Sequence, residues 1–342
     1  MNNDKNNCSI PPVGLTNMSR QGQKKIKKIK NLYNTCYINS SIQCLFRLEQ
    51  FINNILNSSE GKLSNATKNL IINMRDNNND HSKLHVSKIK KEMIEYNEKY
   101  KYNNQEDANE FISDYLNVIH KENRIKDNNN EINQINNRDE NYSHFLKKFH
   151  NKGHSFISDL FYGVLRTKNF CKNCGEIFSV KYQSFNILDM PLYYLAIKKE
   201  NKDLDIEDVI TSYISEKEFS NAKCNKCQKK AYTKMDIYKL PKYLIMYFER
   251  KADNYYIEND INIKKTIDLT NFLDEKESNK LCYSLKGVIH YSFFGNNNGH
   301  YTASCLIDND WYYFDDDNYK ISKEMIKYKG DNTVLLFYEK NN

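Results

Sequence analysis

The chain has 342 residues and a formal net charge of +7, and 39% of its residues are hydrophobic. This apolar fraction is enough for one large core or two smaller ones, so the composition predicts a globular protein. The mean hydropathy is −0.82, and the first ten residues lack the apolar block of a secretory signal, which argues against a membrane protein. We therefore expect a cytoplasmic or nuclear location, where the nine cysteines serve as metal ligands or nucleophiles more often than as disulfides.

The positive charge is concentrated at the N-terminus. Residues 1–30 carry seven Lys and Arg side chains against the single acid Asp4, which gives +6 and leaves +1 for the rest of the chain. We interpret residues 1–28 as a basic, disordered tail, whose run QKKIKKIK is suited to an anionic surface or an import signal. The nearly neutral body disfavours a nucleic-acid interface spread over the fold.

Hydrophobic spacing predicts helices in the first half of the chain and strands in the second half. The segment NTCYINSSIQCLFRLEQFINNIL predicts a helix that begins at or next to Cys36, with Thr35 or Asn34 as its N-cap. The segment QEDANEFISDYLNVIHK predicts a second helix, because one apolar stripe contains Ala108, Phe111, Ile112, Tyr115, Leu116 and Ile119. Strands are predicted over FYGVLRTKNF, KYLIMYFER, CYSLKGVIHYSFF, HYTASCLI, WYYFDD and NTVLLFYE. The fold class is therefore α+β.

Two Cys-x-x-Cys pairs are separated by 49 residues, and each lies in a short turn between predicted strands. The four thiols are those of Cys171, Cys174, Cys224 and Cys227. Four thiolates at this spacing are typical of one closed, structural, tetrahedral zinc site with no open position for catalysis. Two unrelated reduced pairs are the alternative, and the zinc site alone would also fit a ribbon that binds nucleic acid.

A second type of cysteine site is predicted at Cys36. The positive end of a helix dipole favours a thiolate at the helix N-terminus. His300 leads a predicted strand in GNNNGHYTAS, and the acids of WYYFDDDNY follow at the end of another strand. Two neighbouring antiparallel strands could bring one of these acids against the imidazole, which would then activate the thiol. With nine Cys and eight His in the chain, the triplet alone is weak, and the surrounding motifs have to decide.

These motifs together resemble the ubiquitin-specific protease family, the papain-like deubiquitinases built as a thumb, a palm and fingers. NLYNTCYINSSIQCLF is similar to the family's cysteine box, QEDANEFI to its Gln-Asp-Ala-Glu-Phe box, and YSLKGVIHYSFFGNNNGHYTASCLIDNDWYYFDD to its histidine box. LFYGVLRTKNFCKNC and KLPKYLIMYFER resemble strands of the fingers and palm. The resemblance implies one catalytic domain over residues 29–340, with a helical thumb (about 29–150) and a β-rich palm with zinc-tipped β fingers (about 155–340).

The resemblance also implies catalytic roles. Cys36 matches the nucleophile, His300 the base and Asp315 the orienting carboxylate, with Asp316 as a second candidate for the acid. Asn31, five residues before the nucleophile, matches the side chain that helps to form the oxyanion hole. Without the motifs, Asn31 would be interpreted as a helix cap and the acids as a solvated turn.

Two further acids match positions that grip the basic C-terminal tail of ubiquitin. Asp107 and Glu110 are three residues apart, and we expect them on one helix face opposite the apolar stripe, where carboxylates can bind Arg bidentately. An ordinary solvated face is the alternative.

Tyr33 and Ser292 depart from the family pattern, which has glycine at both positions, and Tyr33 restricts the turn before the nucleophile. His290 lacks the Gly-His-Tyr context and is interpreted as a packed strand histidine.

The function implied is a thiol-dependent hydrolase that cleaves the isopeptide or peptide bond after the terminal Gly-Gly of ubiquitin. Ubiquitin and ubiquitinated proteins are the implied partners, with one structural Zn²⁺, no catalytic cofactor and no membrane contact. The alternatives are a catalytically weak or inactive ubiquitin-binding scaffold, a protease for a ubiquitin-like modifier, and a zinc-ribbon nucleic-acid binder, which the nearly neutral body disfavours. No pattern in the sequence indicates the chain linkage, the protein targets or the oligomeric state.

Overall fold

The structure is a computed structural model. It describes residues 10, 15, 34–57, 61–75, 86–102, 104–125, 139–151, 153–200, 202–252, 255–273, 280–295, 298–325 and 332–341. The chain forms two compact units. Unit 1 consists of Met1–Asn123 and Leu285–Glu339, and unit 2 consists of Arg124–Ser284 and Lys340–Asn342.

The described residues form helices mainly in the first half of the chain and strands mainly in the second. The helices are α1 (Cys36–Leu45), α2 (Glu49–Asn57), α3 (Lys62–Arg75), α4 (Ser87–Tyr96), α5 (Ala108–Asn123), α6 (Glu140–His150), α7 (Phe156–Phe161), α8 (Tyr193–Lys198) and α9 (Ile206–Tyr213). The strands are β1 (Gly163–Phe170), β2 (Ile177–Phe185), β3 (Leu188–Pro191), β4 (Leu204–Asp205), β5 (Lys217–Lys223), β6 (Lys230–Lys239), β7 (Tyr243–Glu249), β8 (Lys251–Ala252), β9 (Tyr255–Tyr256), β10 (Ile261–Asn262), β11 (Thr266–Asp268), β12 (Cys282–Gly295), β13 (Asn298–Ile307), β14 (Asp310–Asp315), β15 (Asn318–Ser322) and β16 (Asn332–Lys340). The α+β fold class is confirmed.

Helix α1 is the central element of unit 1, and all ten of its residues are buried. Its polar side chains therefore need partners inside the core. The hydroxyls of Ser40 and Ser41 both donate to the carbonyl of Tyr37, at 3.2 and 2.6 Å. Such back-bonding lets small polar residues remain in a helix interior. The helix begins at Cys36, as the sequence predicts.

Helix α5 confirms the second predicted helix, and its boundary corrects one expectation. All six residues of the apolar stripe are buried. The helix begins at Ala108 rather than at Gln105, because Asp107 acts as a cap and its Oδ1 accepts a hydrogen bond from the N–H of Asn109 at 2.7 Å. Asp107 thus lies just before the helix, and Glu110 lies in its first turn.

The strands of unit 1 are neighbours in the order β15-β14-β13-β12-β16. Strands β12, β13, β14 and β15 follow one another as antiparallel hairpins. In an antiparallel pair the start of one strand lies beside the end of the next. The first residues of β13 and the last residues of β14 are therefore neighbours at one edge of the sheet.

Unit 2 contains a four-stranded sheet in the order β2-β1-β6-β5, with antiparallel pairing throughout. Helix α6 packs against this sheet through Tyr142, whose ring lies 5.1 Å from that of Tyr182 and 4.7 Å from that of Tyr238. A buried ion pair joins Arg166 on β1 to Asp236 on β6 at 3.3 Å. The two Cys-x-x-Cys turns lie at the β1–β2 and β5–β6 connections.

Two residues of the predicted tail are described, and both are buried. The N–H of Leu15 donates to the carbonyl of Asp316 at 2.8 Å, and the carbonyl of Ile10 accepts from Nη1 of Arg47 at 2.7 Å. At these two positions the chain is packed rather than solvated. The run QKKIKKIK lies outside the described residues. Within the described part of the chain, we find no helix with the length and apolar composition needed to cross a bilayer.

Candidate active site

The thiol of Cys36 lies at the start of the central helix of unit 1. Asn34 has a φ of +56°, which turns the chain into the helix, and Thr35 occupies the N-cap position without a side-chain capping bond. The first turn contains no acidic residue that would neutralise the positive end of the helix dipole. Cys36 itself is buried, with 2% of its surface exposed.

His300 and Asp315 meet at the sheet edge where β13 begins and β14 ends. Nε2 of His300 lies 2.7 Å from Oδ1 of Asp315. This contact leaves Nδ1 as the ring nitrogen available to Cys36, whose thiol also forms a side-chain hydrogen bond with His300. The structure thus brings together the three groups that the sequence singled out as nucleophile, base and acid.

The contacts around the imidazole favour its charged form. The hydrogen bond with Asp315, and after it the bond with Cys36, raises the pKa of His300 to about 10. In turn, the contact with His300 holds the pKa of Asp315 below its usual value, although partial burial opposes this shift. The site can therefore hold a protonated imidazole at neutral pH, beside a thiol.

Asp316, the second candidate for the acid, faces a different partner. Its Oδ1 accepts a hydrogen bond from Nδ2 of Asn39, one helical turn beyond Cys36, at 2.8 Å. Asn39 also donates to the carbonyl of Leu15 at 3.3 Å. Sequence reasoning missed Asn39, although it lies inside the quoted cysteine box. Its amide ties the turn after β14 to α1.

The two predicted tail-binding acids have different surroundings. Oε2 of Glu110 lies 3.0 Å from Nζ of Lys99, which also lies 3.3 Å from Asp114. Asp107 uses Oδ1 to cap α5. Glu110 is thus already paired with a cation of the same chain.

Gln105 is a second residue that sequence reasoning missed. Its side-chain Oε1 accepts from the N–H of Gly299 at 2.7 Å, and its Nε2 donates to the carbonyl of the same glycine. The only sequence signal was its place at the start of QEDANEFI. The contact joins the segment before α5 to the residue immediately before His300.

The sequence singled out four further residues of this region, of which the structure describes two. His290 is fully buried and its Nε2 lies 3.0 Å from Oγ of Ser304, which confirms its interpretation as a packed strand histidine. Ser292 pairs with His300 in the β12–β13 ladder. Asn31 and Tyr33 lie outside the described residues, so their proposed effects on the oxyanion hole stay predictions.

The four cysteines of unit 2 form a cluster that could hold a metal ion. All four Sγ atoms lie within 4.8 Å of one another. The Sγ–Sγ distances are 3.5 Å for Cys171 and Cys227, and 3.6 Å for Cys174 and Cys224. Tetrahedral zinc with bonds of about 2.3 Å requires sulfur atoms about 3.8 Å apart. The donor set and its dimensions therefore fit a closed four-thiolate site.

The two turns that carry these thiols have the same backbone pattern. The N–H of Gly175 donates to the carbonyl of Cys171 at 2.9 Å, and that of Gln228 donates to the carbonyl of Cys224 at 2.8 Å. Gly175 and Gln228 both have positive φ, +71° and +59°. Each turn thus folds its two thiols to one side, which leaves the pairs facing each other.

Comparison with known proteins identifies similar sequences over nearly the whole chain. The family model described as ubiquitin carboxyl-terminal hydrolase matches residues 27–338. Ubiquitin carboxyl-terminal hydrolase 2 of Bos taurus is 25% identical over 95% of this chain and 57% of its own length. Ubiquitin carboxyl-terminal hydrolase 4 of the yeast Vanderwaltozyma polyspora is 26% identical over 91% of this chain and 41% of its own. The chain thus spans little more than half of the first of these relatives.

Solved structures share the fold at lower sequence identity. The SAGA Ubp8/Sgf11/Sus1/Sgf73 DUB module bound to ubiquitin aldehyde contains a chain that matches with a TM-score of 0.71 and 18% identity, over 97% of this chain and 70% of that one. The same module bound to monoubiquitin gives a TM-score of 0.72 over 98% and 70%. These matches show that the two folds are alike.

Proposed function

Because the chain belongs to the ubiquitin carboxyl-terminal hydrolase family, which is a class of cysteine proteases, we propose that it is a deubiquitinating enzyme. Its substrates are ubiquitin conjugates, and it hydrolyses the isopeptide or peptide bond after the C-terminal Gly-Gly of ubiquitin. The observation that carries the proposal is the 2.7 Å contact between His300 and Asp315 beside the thiol of Cys36. The ubiquitin-bound state of two structural relatives supports the substrate class.

Cys36 is the nucleophile and His300 the acid and base. The thiolate of Cys36 attacks the carbonyl carbon of the terminal glycine, which forms a carbon–sulfur bond. His300 then gives its proton to the leaving amine as the carbon–nitrogen bond breaks. Water attacks the thioester while His300 takes up one of its protons. The carbon–sulfur bond then breaks and restores the thiolate, and the released carboxyl group of ubiquitin loses its proton to solvent.

Asp315 orients the imidazole and stabilises its positive charge, since its carboxylate accepts from Nε2 of His300. The first N–H groups of α1 have no acceptor within the helix and can face a developing oxyanion. Asn31 is a further proposed donor to the oxyanion.

Asp107 and Glu110 are the proposed contacts of the basic ubiquitin tail. Both acids lie at or next to the start of α5. A carboxylate can pair bidentately with an Arg guanidinium. Glu110 must release Lys99 to do so, so we assign the larger contribution to Asp107.

Cys171, Cys174, Cys224 and Cys227 are the proposed ligands of one structural Zn²⁺. When bound, this ion would link the two turns of the sheet through four thiolates, and it would leave no coordination position for water. The zinc would therefore be structural and would take no part in the hydrolysis.

The test is reaction with ubiquitin that carries a thiol-reactive electrophile at its C-terminus. We expect a covalent adduct, mapped to Cys36 by peptide mass spectrometry and absent in Cys36→Ala. A ubiquitin-like modifier with the same electrophile is the specificity control. An adduct with the modifier alone would mean that the modifier, rather than ubiquitin, is the substrate. Binding of ubiquitin without any adduct would mean that the protein is a ubiquitin-binding scaffold.

A further inference from the structure

The side-chain amide of Gln105 is paired with the backbone of Gly299, 194 residues away in the chain. The N–H of Gly299 donates to Oε1 at 2.7 Å, and Nε2 donates to the carbonyl of Gly299. A primary amide offers one acceptor and two donors, so it can pair with both polar groups of one residue as a neighbouring strand does. Gln105 thus pairs with Gly299 as a residue of a neighbouring strand would.

On the β14 side of β13, no described strand pairs with Gly299. The ladder between β13 and β14 runs from Ala303 to Ile307, and it ends before it reaches Gly299. On the β12 side, Gly299 pairs with Phe293, and the register shifts immediately beyond this pair, between Phe293 and Gly295. Gly299 therefore lies where the regular pairing of β13 ends, and Gln105 supplies a partner for it on the side that β14 does not reach.

Gly299 is also restrained by an aromatic ring. A Cβ atom at position 299 would lie only 2.2 Å from the ring of Tyr291. This ring packs in turn on Tyr301, with 4.6 Å between the centroids. Any larger residue at position 299 would therefore have to displace the Tyr291 ring. The peptide before His300 is consequently held by an amide pair and by a packed ring.

We propose that Gln105 is a positioning residue for the base His300. By fixing the peptide of Gly299, it sets the direction in which the His300 side chain leaves the backbone, and hence the placement of the imidazole between Cys36 and Asp315. The inference rests on the proposed function and deepens it. The alternative is that Gln105 only fastens the segment before α5 to the sheet, which would stabilise the fold without affecting the imidazole.

The test compares Gln105→Met, which keeps the length of the side chain and removes the amide, with Gln105→Ala. Asn104→Ala, a change at the exposed neighbouring residue, is the matched control. Two readouts are used: kcat and KM on a fluorogenic ubiquitin substrate, and the rate at which iodoacetamide alkylates Cys36, followed by peptide mass spectrometry. The alkylation rate needs no ubiquitin, and His300→Ala defines the rate without the base.

We expect both Gln105 variants to lose about tenfold to hundredfold in kcat, because a small displacement of a catalytic group has effects of this size. KM stays within about threefold of wild type, since ground-state binding is retained. The alkylation rate falls toward that of His300→Ala, whereas Asn104→Ala matches wild type in both readouts.

Alkylation of Cys36 at the wild-type rate in Gln105→Met overturns the proposal, as does a rise in KM with unchanged kcat. Should Gln105→Ala lose its thermal unfolding transition, Gln105→Met decides the question. If wild-type protein fails to cleave the ubiquitin substrate, the proposed function fails. The alkylation rates then still decide whether Gln105 positions His300.

Discussion

The thiol of Cys36 in unit 1 lies at a helix N-terminus beside an imidazole, whereas the four thiols of unit 2 lie in strand turns and face one another. In unit 1 the thiol hydrogen-bonds with His300, which can hold the proton that the thiol gives up. In unit 2 the nearest partners are other thiols, at 3.5 and 3.6 Å. The same functional group thus has surroundings that suit the proposed nucleophile in one unit and the proposed metal ligands in the other.

The difference indicates that the neighbours of a cysteine, rather than its burial, separate the two proposed uses. Cys36, Cys171 and Cys224 are all almost completely buried. A thiolate beside an imidazolium is paired by a single proton donor and remains reactive. Four thiolates concentrate negative charge that only a cation can balance. Four predictions test this contrast.

The largest effect is expected for the thiol of unit 1. Cys36→Ala should reduce hydrolysis of a ubiquitin substrate by at least about 10⁴-fold, because removal of a nucleophile eliminates the covalent step. Binding of ubiquitin, measured by titration calorimetry, should remain within several-fold. Cys44→Ala is the control, since Cys44 lies on the same helix and packs 3.8 Å from Cys305. Turnover near wild type in Cys36→Ala would assign the chemistry to another residue.

For unit 2 we expect a large effect on stability. Metal analysis of reduced protein should give one zinc per chain, and Cys171→Ser or Cys227→Ser should destabilise the folded protein by several kcal/mol, because metal binding and folding are coupled at a closed site. Thermal unfolding with and without a chelator measures this loss. Cys282→Ser, at a cysteine outside the cluster, should have little effect. Protein without zinc, or substitutions at the cluster that do not change stability, would mean that the four cysteines are two unrelated reduced pairs.

Asp107 and Glu110, the proposed contacts of the ubiquitin tail, extend the comparison from thiols to carboxylates. Asp107→Asn should raise KM on a ubiquitin substrate about tenfold, or about 1.4 kcal/mol, and the new Asn can still cap α5. Glu110→Gln should raise KM only about twofold, because Lys99 already pairs with Glu110. Steady-state kinetics at low and high salt provide the measurement. Equal effects of the two variants would mean that Lys99 does not compete with the substrate.

The smallest effect is expected for the contribution of the His300–Asp315 pair to stability. The pKa of His300 is raised to about 10 from 6.5, so its contribution to stability is full below pH 6.5 and is lost as the pH rises through 10. The pKa of Asp315 is lowered from 3.8, so its contribution is present above about pH 4 and is lost in acid. Asp315→Asn should therefore cost most between about pH 4 and 6.5, and no more than about 1 kcal/mol because the carboxylate is half exposed.

Urea unfolding of wild type and Asp315→Asn across this range measures the difference. Asp317→Asn, in the same turn, serves as the matched control. A cost that grows steadily between pH 6.5 and 10 would contradict the assigned charge pair.

Much of the fold could be predicted because periodicity is a local property. The six apolar residues that predicted α5 are all buried in it, since a repeat of 3.6 residues places them on one face wherever the helix packs. The turns of the two Cys-x-x-Cys pairs could be predicted because the strand patterns on either side of them are also local. The prediction missed the start of α5 although the cap at Asp107 is a local contact with Asn109. The pairing of Gln105 with Gly299 could not be predicted, because it joins residues 194 apart in the chain.

The sequence by itself determined which chemical groups the site contains: a thiol at the start of a helix, a histidine at the start of a strand, and acids at the end of another. Only the tertiary structure decided which acid faces the imidazole. Asp315 ends β14 and points to His300, whereas Asp316 adopts a φ of +51° and turns its carboxylate toward Asn39. Adjacent acids look alike in a sequence, and the direction of each side chain is set by the backbone of the turn and by the helix packed against it.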